Sequence, residues 1–305
     1  MKQRTVFALI SAGQRPFHFA DIGQQLHVRQ DFINDFVKIA NIFNRFVQYS
    51  TDNVNLTIVS LIAGFMNAKG LSRKHMMQGI EHSLRRLRTD YIDFYFVHDF
   101  DENTPIEETL RTLDDLQRQG KILYPAVSNW AAWQIATALG ISAKERLARF
   151  ELIQPMYNLV KRQAEVEILP LAARQQLGVI SYSPLGAGLL TGKYGVNKRP
   201  EQGRLVDEKR YADRYLDERN FVVADRFTKH AAERGIKPST LAVAWVMSNP
   251  LITAPIIGAR DLQQLEDSLA AVEVEMTPEW RNEISSLSVT PQPATDRSEV
   301  LKGWR

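Results

Sequence analysis

The sequence predicts an α/β fold, a parallel sheet of short buried strands with helices packed outside it. Three observations point there. From residue 56 onward, short β-rich apolar runs alternate with amphipathic helical segments, the signature of strands joined by helical crossovers. The runs are short and apolar throughout, as parallel strands covered on both faces are. No G-x-G-x-x-G turn follows the first strand. An open dinucleotide-binding sheet would carry one, so its absence favours a closed barrel over an open doubly wound sheet.

The β-rich runs are 56–62, 91–97, 122–127, 150–154, 179–182 and 253–257. Ser72 precedes a helix that places Met76, Ile80, Leu84 and Leu87 on one side. In Thr104-Pro105-Ile106-Glu107 a capping hydroxyl, a first-turn proline and a following glutamate open the next helix. Its apolar stripe is Ile106, Leu110, Leu113 and Leu116, and Gly120 ends it. Thr277-Pro278 opens the last helix in the same way. Residues 192–220 break the rhythm, being polar, highly charged and long. They read either as a solvated loop with a helical piece near its end or as a lid at the C-terminal face of a barrel, where functional loops gather.

A length of 305 residues suits one barrel domain spanning 1–305, and 44% apolar with 24% charged residues provides a sizeable core. The net charge of +3 is spread among acidic residues, so no nucleic-acid partner is expected, since that needs a concentrated basic face. The chain has no cysteine, which excludes disulfides and thiol catalysis. No run approaches the ~20 apolar residues that span a bilayer, and no membrane association is expected. The opening MKQRTVFALISAGQ places basic residues before an apolar stretch, but that stretch is at the short end of the ~7–15 residues of secretory signals. A cytoplasmic location is the better reading. The six histidines show no ligand spacing with carboxylates, so no metal site is expected.

Polar residues fall at the ends of the runs. His98 follows the second, Ser128 and Asn129 the third, and Gln154 ends the fourth. Tyr182 ends the fifth and leads into a Ser-Pro-Leu-Gly turn, while Gly258 and Arg260 follow the sixth. Singly each has a bland reading: a structural histidine, a turn-capping asparagine, a core tyrosine, a helix start capped by Asp261. Together they place five polar groups on what would be one barrel face.

In this order the motifs resemble the aldo/keto reductase superfamily, and within it the bacterial NADP-dependent branch. The matching stretches are GLSRKH, SLRRL, DYID, VH, TPIEETL, VSNW, YNL, YSPL, GLLTGKY, PIIGAR and QLED, in register over residues 70–269. The resemblance implies a (β/α)8 barrel that binds NADP(H) without a Rossmann motif and acts on a small-molecule carbonyl substrate. On it, His98 matches the catalytic histidine that orients the carbonyl. Ser128, Asn129 and Gln154 match the groups that hold the nicotinamide carboxamide, and Tyr182 the aromatic that stacks on its ring. Ser183, Leu185, Gly186, Ala187 and Lys193 match the pyrophosphate loop. Gly258 belongs to the cofactor-binding set, Arg260 matches a position near the 2′-phosphate, and Gln264 and Asp267 match adenosine contacts. Ser268 stands where the family usually has asparagine, and Ala126 where it has glycine.

The segment 1–56 departs from the pattern. The family's proton-donating tyrosine falls on Phe43, its lysine on Leu61 and its aspartate on Val37 or Lys38. Asp35, Lys38 and Tyr49 are the right residue types at the wrong spacing. The resemblance would also place a few tens more residues ahead of His98. The first functional expectation is therefore an NADP(H)-dependent oxidoreductase acting on aldehydes or ketones, impaired at its proton-transfer step. A second is an NADP(H)-binding sensor or interaction protein without efficient turnover, and a third is a decayed copy whose barrel no longer closes.

Overall fold

The computed structural model describes residues 7–10 and 70–295, together with Arg297. The run 56–62 and the positions Asp35, Val37, Lys38, Phe43, Tyr49 and Leu61 lie outside the described residues. Strand β1 (Phe7–Ile10) comes first in the chain. Helix α1 (Arg73–Leu87) starts at Ser72, whose hydroxyl accepts from the His75 amide at 3.4 Å, and it buries Met76, Ile80 and Leu84. Strand β2 (Ile92–Val97) leads to α2 (Ile106–Arg118), β3 (Ile122–Ser128) and α3 (Ala132–Glu145). Then follow β4 (Leu152–Gln154), α4 (Ile168–Gln175) and β5 (Gly178–Ser181).

After β5 the chain crosses through two short helices, α5 (Arg204–Asp207) and α6 (Lys209–Tyr215). Helices α7 (Glu218–Glu233) and α8 (Pro238–Met247) bring it to β6 (Ala254–Ala259). Helix α9 (Leu262–Leu269) begins at Asp261, whose carboxylate accepts from the Gln264 amide, and α10 (Pro278–Ser286) begins at Thr277, capping Trp280. Residues 240–247 of α8 are all buried, so this helix is apolar all round and sits inside the helical layer.

All pairings are parallel, and the strand order is β1-β6-β5-β4-β3-β2. The strands curl into part of a (β/α)8 barrel. Phe7 to Ile10 lie in register with Ile256 to Ala259, so the first strand of the chain flanks the last. That adjacency is what closing a sheet on itself requires.

Strand alternation sorts the core into two layers. Phe96, Ala126, Leu152, Ile180 and Ala254 form one buried cluster, with Phe94 and Ile256 packed against it. Their sequence neighbours Tyr95, Val97, Val127, Ile153, Val179 and Ile257 belong to the larger cluster shared with the helices. The first set lines the inside of the sheet and the second faces outward to the helix layer.

Helix α2 differs from its expected start. Pro105 is the cap and has no side-chain hydrogen bond, while the Thr104 hydroxyl donates to Asp101 Oδ2 at 2.6 Å. The Asp101 carboxylate also accepts from the Leu71 amide (2.8 Å) and the Asn103 amide (3.0 Å), and so ties two loops together. A carboxylate outcompetes the helix end for one hydroxyl because charge-assisted bonds are the stronger ones. The predicted stripe is otherwise in place, with Leu110, Leu113 and Leu116 fully buried.

Candidate active site

The same alternation that lines the sheet interior places the polar residues. His98, Ser128, Gln154, Tyr182 and Gly258 each lie an even number of residues beyond Phe96, Ala126, Leu152, Ile180 and Ala254. They continue the inward-facing phase at the C-terminal ends of their strands, His98 and Tyr182 just past the last strand residue and Ser128, Gln154 and Gly258 at or beside the last residue of theirs. Because the strands are parallel these ends share one side.

At this end the four strands β2 to β5 are laced together. The buried Ser128 hydroxyl donates to the Gln154 carbonyl at 2.9 Å. Asn129 adopts a left-handed φ of 56°. From there its Nδ2 donates to the His98 carbonyl at 3.1 Å, and its Oδ1 accepts from the Tyr182 hydroxyl at 2.8 Å. His98 Nδ1 pairs with Asp99 Oδ2 at 2.7 Å, and the imidazole is about one-third exposed. The Tyr182 ring is thus pinned at its tip. Burial, reinforced by Tyr215, Asp99 and Tyr211 and opposed by Arg214, raises its hydroxyl above the ordinary tyrosine value.

Beyond Tyr182 opens a cavity of about 420 Å³. The turn after β5 supplies Ser183, Leu185 and Ala187 to its wall, and Lys193 lies next along the chain. The turn is tight, with positive φ at Ser183, Gly186, Ala187 and Gly188. The backbone amides of such a turn can form an anion-binding concavity. A Cβ on Gly188 would sit 3.1 Å from Lys193 Cε, so the missing side chain lets the lysine lie along the turn. Gly186 is buried beside Val160, Leu189 and Tyr215 and does not line the cavity.

The far wall is Gly258, Arg260, Gln264, Asp267 and Ser268. The Gln264 side chain is held by Asp261 Oδ2 (2.7 Å) and by the Arg260 amide (3.2 Å). The Asp267 carboxylate accepts from Lys237 (2.6 Å) and Gln263 (2.9 Å). Ser268 spends its hydroxyl on the Gln264 carbonyl one turn back, at 2.9 Å. Ten of the fifteen residues picked out by motif therefore share this wall, while His98, Ser128, Asn129 and Gln154 stand at the strand ends that Tyr182 joins to it.

Beside Ser239 on α8, three lining residues carried no motif: Arg204, Tyr211 and Arg214, on α5 and α6. They belong to the 192–220 segment, which covers the cavity and holds two short helices with a small core of their own. That core comprises Ala187, Leu189, Tyr194, Leu205, Tyr215, Phe221 and Ala224. The lid reading is the one the structure favours over a solvated loop. Its anchor is Tyr215, fully buried, whose hydroxyl accepts from Asn158 Nδ2 (3.1 Å) and lies 3.3 Å from Ser183 Oγ. Neither tyrosine nor arginines stood out in the sequence, because a charged stretch looks alike whether its charges face water or a ligand.

The cavity is cationic. Among the described residues Lys193, Arg204, Arg214 and Arg260 line it, and the one lining carboxylate, Asp267, is already paired with Lys237. Burial and then the neighbouring Arg260 and Arg204 lower the Lys193 ammonium from its ordinary value, against a smaller pull from Asp207. Among the described residues no cluster of histidine and carboxylates could hold a metal, and no helix is long and apolar enough to cross a membrane.

Comparison with known proteins gives this arrangement a family. The family model described as "Aldo/keto reductase family" matches residues 3–289, including the segment that the motifs left without a counterpart. An uncharacterized oxidoreductase, YrpG, of Bacillus subtilis is 36% identical over 212 residues, which is 69% of this chain and 63% of that protein. A "probable voltage-gated potassium channel subunit beta" of Arabidopsis thaliana is 37% identical over 211 residues, 68% of this chain and 64% of its own. Versiconal hemiacetal acetate reductase of Aspergillus parasiticus is 30% identical over 215 residues, 70% of this chain and 62% of its own. The matched part of the chain thus spans less than two thirds of these relatives' length. With a match that runs through nearly all of its residues, the chain belongs to the aldo/keto reductase family, whose members are oxidoreductases built on a (β/α)8 barrel.

Proposed function

We propose that the chain binds NADP(H) in the cationic cavity and presents a small aldehyde or ketone at its Tyr182 end, as an NADP(H)-dependent carbonyl oxidoreductase. Family members use nicotinamide cofactors and act on small carbonyl compounds. The observation that carries the finer reading is the charge of the cavity. Among the described residues four cationic side chains line it, and the single carboxylate is engaged elsewhere. Like charges held together in a half-buried site fit a ligand with several phosphates, which supplies the missing counter-charge and accepts bidentate arginine bonds.

In this reading Lys193, Arg204 and Arg260 receive the phosphates, and a fixed cation at Arg260 favours a 2′-phosphorylated cofactor over the unphosphorylated one. The Tyr182 ring offers its face to the nicotinamide, and its bond to Asn129 keeps that face fixed. Ser128, Asn129 and Gln154 stand where the carboxamide would be held. His98 orients the carbonyl oxygen by hydrogen bonding. The bound cofactor supplies the hydride.

A second reading, cofactor binding without efficient turnover, is favoured by the sequence observation that Phe43 and Leu61 stand where the resemblance places tyrosine and lysine. Phenylalanine has no proton to donate, and losing a positioned general acid forfeits roughly 10²–10⁴ in rate. The relatives named as channel subunits sit beside this reading.

Titration with NADPH and NADH, followed by thermal unfolding and tryptophan fluorescence, tests the common premise. At ~100 times its dissociation constant NADPH should stabilise the protein by about 2.7 kcal/mol. Arg260→Ala should remove most of the preference for NADPH over NADH. No stabilisation by either nucleotide would sink both readings. Given binding, turnover of a reactive aldehyde decides between them.

A further inference from the structure

Among the described residues four cations line the cavity: Lys193, Arg204, Arg214 and Arg260. Lys193, Arg204 and Arg260 are close enough to act on one another, since both arginines depress the Lys193 ammonium. Arg214 is absent from that group. Its field instead reaches the Tyr182 and Tyr215 hydroxyls, and for Tyr182 it is the largest charge effect after burial. Arg214 lines the cavity together with Tyr211, on the last turns of α6. Its guanidinium lies 5.7 Å from the Tyr211 ring centroid, and Arg204 and Arg210 lie 5.5 and 5.2 Å from the same ring. Three guanidiniums around one tyrosine repel one another, and Arg214 has no ion-pair partner among the described residues.

We propose that Arg214, with Tyr211 beside it, forms a subsite for an anionic group on the substrate, so that the site prefers carbonyl compounds bearing a carboxylate over neutral ones. The inference rests on the NADP(H) reading above and adds to it the class of substrate. The phosphates of the cofactor are matched by Lys193, Arg204 and Arg260, which leaves the Arg214 fork uncommitted at the end where Tyr182 would meet the nicotinamide. A guanidinium in a partly enclosed cavity binds a carboxylate through two parallel hydrogen bonds. The Tyr211 hydroxyl can donate a further one.

Binding to the preformed complex with NADP⁺ avoids any dependence on turnover. The complex is titrated calorimetrically with 4-carboxybenzaldehyde and with the neutral methyl 4-formylbenzoate, for the unsubstituted protein and for R214Q, R214K and R204Q. The carboxylate should bind about tenfold more tightly than the ester, a preference that shrinks with added salt. R214Q should abolish the preference while costing NADP⁺ much less affinity than R204Q does. R214K should keep part of it, and R204Q should weaken NADP⁺ instead. Equal binding of the two aldehydes by the unsubstituted protein would overturn the proposal while leaving the NADP(H) reading intact. So would a loss of NADP⁺ affinity in R214Q as large as that in R204Q, which would assign Arg214 to the cofactor. Failure of NADP⁺ to bind at all would remove both.

Discussion

Burial and the positive fields of Arg260 and Arg204 hold the Lys193 ammonium below its ordinary value in the free protein. An anionic ligand reverses that field and raises the same group. The sign follows by linkage: a group whose value rises on binding contributes affinity fully below its free value and loses it as pH climbs past it. NADPH affinity should therefore be level near neutrality and weaken on the alkaline side, from the lowered Lys193 value upward. Lys193→Met should bind NADPH more weakly and flatten that alkaline fall. A dissociation constant measured by fluorescence from pH 7 to pH 10 checks both, and an unchanged alkaline limb in the methionine variant would remove Lys193 from the phosphate end. Lys193 itself was legible in the GLLTGKY stretch. Its two depressing neighbours were not equally so: Arg260 came with PIIGAR, whereas Arg204 sits in a charged stretch with no spacing to single it out.

The segment carrying α5 and α6 is fastened to the barrel through a small core in which Tyr194, Leu205 and Tyr215 are buried, Tyr215 completely. Its ring fills the small core with Leu189 and Phe221, and its hydroxyl meets Asn158 and Ser183. Removing that side chain leaves a cavity beneath the lid and reduces the Asn158 amide to its bond with the Ser183 carbonyl at 2.9 Å. Tyr215→Ala should therefore loosen the segment more than the barrel. Limited trypsin digestion should cut faster at Arg204, Lys209, Arg210 and Arg214, with the main thermal transition little lowered. Unchanged cleavage would mean that the lid is held elsewhere. Helix starts were readable because Ser72, Asp261 and Thr277 advertise their capping oxygens. Several ends were not: Arg88, Arg146 and Gln176 take left-handed conformations that glycine usually fills, at 52°, 54° and 55°. A side chain forced into that region by the fold leaves no mark in the sequence.

At the scale of the molecule, the pairing of β1 with β6 places Phe7–Ile10 at one end of the described strand order, where it covers β6. Without Phe7–Ile10 the backbone of Ala254–Ala259 would present an open strand edge, the template for pairing with another molecule. Deleting residues 3–10 should yield light-scattering aggregates and a broad, early thermal transition. A deletion variant that stays monomeric with an unchanged melt would show that β1 adds nothing to the closure. The parallel α/β architecture was visible in the alternation of apolar runs and amphipathic segments. Where the opening strand pairs was not, because a four-residue apolar stretch carries no address for its partner.

The even-numbered phase shared by the wall of the barrel and its polar rim also bears on how such a protein can change over generations. Gaining or losing one residue inside β2 to β6 would turn the strand's interior side chains outward and pull His98, Ser128, Gln154, Tyr182 or Gly258 out of the rim in the same stroke. Length variation is harmless only past the last paired residue, where it alters a loop and leaves the phase alone. Descendants of this chain are accordingly free to explore new substrates by lengthening or trimming the lid between β5 and α7. The rim positions carried by the strands are open to point substitution alone.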